Sequence, residues 1–212
     1  DSTTITSGRK SAKGQKHAVG AWIKLASDKP GKTLVKVATS FTSIDNARKN
    51  LASEIPEWDF NEVRQASSDT WNQALGQIAV KGNNEKEMVK FYSALYNAHF
   101  LPRTFSDVDG SYPRFDGDGQ IMKMDHGTYY CDFSQWDTYR AVHPLFSILN
   151  PSRNGDMAHS LVLKGQQGGW LPIFPSWNSY TAAMIGDHCI AMIGDAIVKD
   201  TPGFDYEEAY TL

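Results

Sequence analysis

The chain has 212 residues, with 21 Lys or Arg against 24 Asp or Glu, for a formal charge of −3. At about 100–200 residues per domain it holds one to two domains, and 41% hydrophobic with 21% charged residues is ordinary for a globular protein with a buried core. The mildly acidic balance lacks the basic face of a nucleic-acid platform. No stretch approaches the roughly 18–20 apolar residues of a membrane span, since the best one, Cys189 to Val198, is broken by Gly194 and Asp195.

Residues 1–16 are polar and Ser/Thr/Gly/Lys-rich and read as a lead-in loop. Residues 17–26 and 32–41 read as strands. In the second, Val35, Val37, Thr39 and Phe41 share one face by period two, with Lys36 opposite. Ser27-Asp28-Lys29-Pro30-Gly31 between them is turn chemistry, so the pair predicts an antiparallel hairpin, the tail of a β domain.

After Ser43 the period changes to 3.6. Asp45 is placed to cap a helix over 46–55, with Ala47, Leu51 and Ile55 on one side and Pro56 ending it. Val63, Ala66, Thr70, Ala74 and Ile78 predict a second helix over about 60–78. The change of period sets domain boundaries: 1–43 as the last strands of the β domain, 44–84 as a helical linker, and 85–212 as a helical domain.

Met88, Phe91, Tyr92, Leu95, Tyr96 and His99 form one stripe of an amphipathic helix, closed by Pro102. Residues 103–130 are a Gly/Asp-rich excursion, with Asp116-Gly117-Asp118-Gly119 a hairpin turn between short aromatic segments. A helix over about 134–149 carries Trp136, Tyr139, Arg140 and His143 and bends at Pro144. Further helices are expected over 155–166, stopped by Gly168-Gly169, and over 180–199. Asp205 starts a last helix with Glu208 at capping-box spacing. A chain that begins at Asp1 and stops just inside that helix reads as a piece of a longer protein. Strands and helices do not alternate, which argues against a parallel α/β sheet. The helical run suits antiparallel helix hairpins closing into a toroid.

The two cysteines, Cys131 and Cys189, make neither a disulfide framework nor a four-ligand zinc site, and their apolar neighbours suit buried thiols. The densest segment is Tyr129-Tyr130-Cys131-Asp132-Phe133-Ser134-Gln135-Trp136-Asp137-Thr138-Tyr139-Arg140. An Asp beside a Trp, with an Arg one turn on, combines an apolar stacking surface with charged hydrogen-bonding groups. Sugars need both, because their C–H faces stack on rings and their hydroxyls take directional bonds. The alternative is an Asp paired to its local Arg beside a core Trp.

Gly168 to Asn178 is a loop with two Trp and two Pro, either a binding lip or a Trp-anchored helix connection. Gly186-Asp187-His188 falls inside the expected 180–199 helix, where a Gly needs a reason such as close approach of a helix or ligand. Asp187 and His188 are then a pocket pair or a mutually satisfied buried pair. Asp107-Val108-Asp109-Gly110 fails the calcium-loop template, which requires Gly at the sixth position and Glu at the twelfth, where Tyr112 and Asp118 stand. It reads as a turn.

Taken in order, several strings resemble glycoside hydrolase family 92, the exo-acting α-mannosidases. They include Gly20-Ala21-Trp22-Ile23-Lys24, Glu54-Ile55-Pro56-Glu57-Trp58-Asp59-Phe60, Phe105-Ser106-Asp107-Val108-Asp109-Gly110, Phe133-Ser134-Gln135-Trp136-Asp137-Thr138-Tyr139-Arg140, Gly168-Gly169-Trp170-Leu171-Pro172 and Met184-Ile185-Gly186-Asp187-His188. The resemblance implies the end of an N-terminal β-sandwich followed by the first helices of an (α/α)6 barrel. It implies calcium-dependent, inverting release of terminal mannose from N-glycans or mannan by a secreted or periplasmic enzyme; α-1,2 is the first expectation, and departures from the family pattern at Phe174 and over Pro175 to Tyr180 leave the linkage open.

The family's general acid, a Glu in a Glu-Gly-Asn-Ala-Trp-type motif, and its general-base Asp pair do not occur in these 212 residues. Most calcium ligands are likewise expected elsewhere. By resemblance Asp137 contacts mannose hydroxyls, and Trp136, Arg140, Asp187 and His188 belong to the same wall or its surroundings. No metal ligand and no catalytic residue is assigned within the chain. The other reading is a non-catalytic mannan-binding or structural module.

Overall fold

The computed structural model describes residues 31–212, so the lead-in 1–16 and the strand expected over 17–26 lie outside the described residues. Val35–Leu212 forms one compact unit. Residues 31–40 carry neither helix nor ladder, so the strand expected over 32–41 has no partner among the described residues.

Helix α1 spans Ile44–Glu54 and starts two residues before expectation. Ser43, not Asp45, is its cap, its hydroxyl accepting from Asn46 N at 3.0 Å. Asp45 instead sits in the first turn and pairs with exposed Arg48 at 2.7 Å. The face of α1 that is most buried is polar: Asn46 and Asn50, one turn apart. They close on the buried carboxylate of Asp107. Asn50 Nδ2 donates to Oδ1 at 2.7 Å, Asn46 Nδ2 and Ser40 Oγ donate to Oδ2 at 3.2 and 2.9 Å, and Thr42 Oγ1 also donates to Oδ2. Asp107–Gly110 is the turn its composition predicts, closed by Gly110 N donating to the Asp107 carbonyl at 2.9 Å, and the Asp107 carboxylate also ties that turn to α1.

Helix α2 (Phe60–Leu75) is capped by Asp59 and ends at Gly76, short of the expected Ile78. Helix α3 (Glu85–Ala98) is capped by Asn84 and packs on α2 through Trp71 and Tyr96, with ring centroids 4.3 Å apart. Residues 103–131 then form two small antiparallel ladders: β1 (Arg103–Thr104) with β4 (Tyr130–Cys131), and β2 (Ser111–Pro113) with β3 (Ile121–Lys123). The Asp116–Gly119 turn joins β2 to β3 as its composition requires. The register places Tyr112 opposite Met122. Tyr112 stacks on Tyr129 at 3.9 Å over a small core of Phe105, Met124 and Cys131.

The helix expected over 134–149 is two helices, α4 (Gln135–Thr138) and α5 (Val142–Leu149). Proline lacks an N–H and its ring crowds the carbonyl four residues back. For Pro144 that carbonyl belongs to Arg140, and the chain breaks beside it, at Ala141 with φ −139°. Helix α6 (Pro151–Gly168) carries Pro at its first position, where the missing N–H is harmless, and ends on Gly169 in the left-handed region.

Helix α7 is His188–Val198, not 180–199. Ala182, Met184 and Gly186 all have positive φ, which no right-handed helix accepts. Helix α8 (Tyr206–Tyr210) is capped by Asp205, which accepts from Glu208 N at 3.0 Å. The reciprocal half of the capping box is missing, because the Glu208 carboxylate accepts from Gln166.

The main core lies among α5, α6 and α7: Phe133, Phe146, Met157, Leu161, Val162, Cys189, Met192 and Ile193. Both cysteines are free and buried, as their neighbours predict. Gly155 on α6 has no room for a Cβ, which would stand 1.7 Å from the Pro202 carbonyl oxygen. Its absent side chain lets the α7–α8 connection lie directly on α6. No helix among the described residues is long and apolar enough to cross a membrane.

Candidate sugar-binding site

The segment 132–140 runs from the end of β4 through α4 and carries a cluster at each end. At its far end, Trp136, Tyr139, Arg140 and His188 come together. The Arg140 guanidinium lies over the Tyr139 ring at 4.6 Å and the Trp136 ring at 5.1 Å, and its Nη1 donates to the Trp136 carbonyl at 3.1 Å. On the other side Tyr139 stacks face to face on His188 at 4.5 Å and 2°. The start of α7 therefore meets the end of α4 through an aromatic stack. Trp136 remains 40% exposed, leaving part of its ring open.

Asp137 is exposed at the start of α4. It makes no ion pair with Arg140, so the local Asp–Arg pair is not what forms. One carboxylate oxygen accepts from Ser134 Oγ, and the other has no partner among the described residues. Next to it Gln135 is fully buried, and neither its Oε1 nor its Nε2 has a partner among the described residues. A buried amide left unpaired costs about 1–3 kcal/mol.

Gly186 does not sit in a helix. Its φ of +89° suits glycine, and a Cβ there would stand 2.7 Å from His188 Nε2. The reason for the glycine is the placement of His188 itself. Asp187 and His188 are not a hydrogen-bonded pair among the described residues. Asp187 occupies the cap position of α7, is exposed, and makes no cap bond.

The near end of the segment is not legible as a site in the sequence. Asp132 is buried, with φ +62°. Its Oδ2 pairs with Arg103, whose Nε donates at 2.7 Å. Its Oδ1 accepts from Trp177 N at 2.9 Å and Ser176 Oγ at 3.2 Å. Asn178 anchors the same loop from inside, accepting from Tyr129 Oη at 2.8 Å and donating to the Pro113 carbonyl at 2.6 Å.

Held this way, Trp177 is 68% exposed, with the Arg103 guanidinium 5.5 Å from its ring centroid and Phe41 edge-on at 6.5 Å. The loop 168–178 is thus a rigidly anchored lip. Trp170 is exposed as well, and its carbonyl accepts from Tyr180 Oη at 2.6 Å. The sequence marks this loop but not Asp132 or Arg103, because their partners lie 29 to 74 positions apart along the chain.

Lys164, on α6, is fully buried among the Phe115, Tyr129 and Phe133 rings. Its Nζ donates to the Tyr130 carbonyl at 2.6 Å and lies 3.6 Å from the Tyr129 ring centroid. Burial pulls its pKa down to about 7, and burial also pushes the Cys131, Cys189 and Tyr129 groups up. A concave surface of about 670 Å³ runs along α3, lined by Met88, Tyr92 and Tyr96 among others. It is the more apolar face of α3, with Glu85, Ser93 and Asn97 also on its lining.

No group of three carboxylates converges among the described residues to hold the calcium that the resemblance implies. Calcium takes six to eight oxygen ligands. The oxygens of Asp107 are taken up by amide and hydroxyl donors, and Asp109 accepts from Lys49 at 2.8 Å, which holds its carboxyl below the usual range. The only metal-ligating trio among the described residues contains two imidazoles.

This arrangement of exposed rings, guanidinium groups and an open carboxylate is the type of surface that binds carbohydrate. Residues 46–212 match the glycosyl hydrolase family 92 catalytic domain, and the chain belongs to that family. It is similar to a family GH92 α-mannosidase, BT3965 of Bacteroides thetaiotaomicron, solved in complex with mannoimidazole. The identity is 36% and the TM-score 0.75, over 81% of this chain and 22% of that one. The family GH92 inverting mannosidase BT2199 of Bacteroides thetaiotaomicron VPI-5482 is 29% identical, with TM-score 0.74, over 81% of this chain and 23% of that one. An "Uncharacterized secreted glycosidase" of Arthroderma benhamiae is 32% identical over 190 residues, 87% of this chain and 20% of that protein. The chain therefore spans about a fifth of the length of these relatives.

Proposed function

We propose that the protein carrying this chain is an exo-acting α-mannosidase, releasing terminal mannose from N-glycans or mannan with inversion, with preference for α-1,2 linkages. The observation that carries the reading is Asp137: a carboxylate with one oxygen held by Ser134, the other open, beside the exposed Trp136 ring. In this reading Asp137 accepts from sugar hydroxyls and Trp136 stacks on the sugar's C–H face. The stack of Arg140, Tyr139 and His188 fixes the wall, with Asp187 at its edge. The mannosidases to which the chain is similar support the substrate class, and BT2199, an inverting mannosidase, supports the stereochemistry.

Inversion needs an acid and a base about 6.5–9.5 Å apart, leaving room for the attacking water. This chain supplies neither. Its residues bind and orient the sugar, and acid, base and calcium ligands come from elsewhere in the polypeptide. In this reading the helices from α3 onward form the first part of an (α/α)6 barrel and residues 44–84 a linker. Secretion or a periplasmic location fits the substrate and the secreted relative.

The test is the intact protein assayed on an α-1,2-linked mannobiose, with proton NMR of the first anomer released. Initial release of β-mannose, abolished by EGTA and restored by Ca2+, is expected. Initial α-mannose, or turnover indifferent to EGTA, contradicts the reading. Sugar binding without turnover supports the other reading, a non-catalytic mannan-binding module. The 212 residues alone are expected to be inactive.

A further inference from the structure

On the α6 side that bears Asp156, away from the Trp lip, three ligand-type side chains converge from two segments. Asp125 and His126 come from the β3–β4 connection and His159 from the middle of α6. One donor atom of each lies within 4.8 Å of the other two. The His126 and His159 rings stack at 4.8 Å and 18°.

His126 Nε2 lies 3.1 Å from the Gly203 carbonyl, an acceptor only, so that nitrogen carries the proton. In the neutral ring this leaves a lone pair on Nδ1, which faces Asp125 Oδ1 at 2.9 Å. Two lone pairs at that distance repel unless a proton or a cation sits between them. His159 Nδ1 is shielded from solvent and has no hydrogen-bond partner among the described residues. The Asp156 carboxylate, which accepts from Thr128 N at 3.0 Å, adds negative field to both rings.

We propose that Asp125, His126 and His159 bind a zinc-class divalent cation. It would pin the β3–β4 connection to α6, and through the Gly203 carbonyl to the α7–α8 connection as well. Two imidazoles and a carboxylate suit Zn2+ and disfavour Ca2+, which takes oxygen ligands. The Gly203 carbonyl plays the orienting part that metal-bound histidines commonly have at their second nitrogen. Zn–N bonds of about 2.0–2.1 Å at tetrahedral angles put donors about 3.3 Å apart. The widest pair closes by about 1.5 Å, within reach of rotation of the exposed Asp125 and His126 side chains.

The test strips the intact protein of metal and titrates it with Zn2+ in excess Ca2+, alongside Asp125→Asn, His126→Gln and His159→Gln. Expected is one Zn2+ equivalent in the unaltered protein that is weakened more than about tenfold in each variant. Co2+ in its place should give the visible d–d absorption of a tetrahedral site, lost in His126→Gln. Zinc binding of equal stoichiometry and affinity in all three variants overturns the proposal, and so does displacement by equimolar Ca2+. Asp125 is 76% exposed, so its replacement leaves the packing in place if a histidine variant fails to fold. Zn2+ should raise the Tm of the unaltered protein and not that of Asp125→Asn. An equal rise in both also overturns it.

Discussion

Asp132 is the residue on which the exposed Trp177 lip depends. Replacing it with Ala removes the acceptor for Trp177 N and Ser176 Oγ and the partner of Arg103. A hydrogen bond to a charged group is worth about 1.5–3 kcal/mol. The Arg103 side chain is 53% exposed, so its ion pair adds only about 0–1 kcal/mol. Holding Ala at φ +62° costs about 1 kcal/mol more.

Together these raise the free energy favouring loop opening by about 2.5–5 kcal/mol, or from about sixtyfold to a few thousandfold in the opening equilibrium at about 1.4 kcal/mol per tenfold. Asp132→Asn keeps the shape and tolerates the left-handed backbone, so its effect should be intermediate. Hydrogen exchange followed by mass spectrometry on peptides covering residues 173–180 reads the change. Unaltered protection at the Trp177 amide in a folded Asp132→Ala protein would refute the reasoning.

The buried Lys164 gives a pH dependence. Its folded pKa of about 7 lies below the unfolded 10.5. From pH 7 upward the unfolded chain therefore holds a proton that the folded chain has released, and stability rises with pH. Over pH 7 to 8.5 the gain is at most about 2 kcal/mol at 1.36 kcal/mol per pH unit. Below pH 7 both states are protonated and the contribution is flat. Above pH 8.5 the buried thiols, held protonated in the fold, reverse the slope. Lys164→Met should lose the rise in urea midpoint between pH 7 and 8.5, and an identical rise would contradict the assignment. Gly186→Ala drives a Cβ against His188 and strains φ +89°. It is expected to raise KM for a mannoside by about threefold or more with near-native circular dichroism, and an unchanged KM would free His188 from the wall.

Much of the helical half is legible in the sequence. The 3.6-residue stripes place α2, α3 and α6 to within a few residues, because apolar spacing and Gly/Pro boundaries are local. The differences come where distant partners decide. Ser43 takes the cap from Asp45 because α1 is docked by Asn46 and Asn50 on Asp107, a bond set across 57 to 61 positions. The α7 start moves to His188 because positive-φ residues hold 182–186 out of the helix. At the site, Trp136, Tyr139 and Arg140 share a visible helical face. The stacking of His188 on Tyr139, and the tie from Asp132 to Trp177, depend on how α4, α7 and the 168–178 loop meet.

If segment 132–140 contacts the sugar, Asp137 is the side chain whose loss reports it. With the intact protein, Asp137→Ala should lower kcat/KM on an α-mannoside by at least about tenfold, since a charged hydroxyl contact kept in the transition state is worth about 1.5–3 kcal/mol. Kinetics of Asp137→Ala indistinguishable from those of the unaltered enzyme would place the sugar elsewhere and contradict the account.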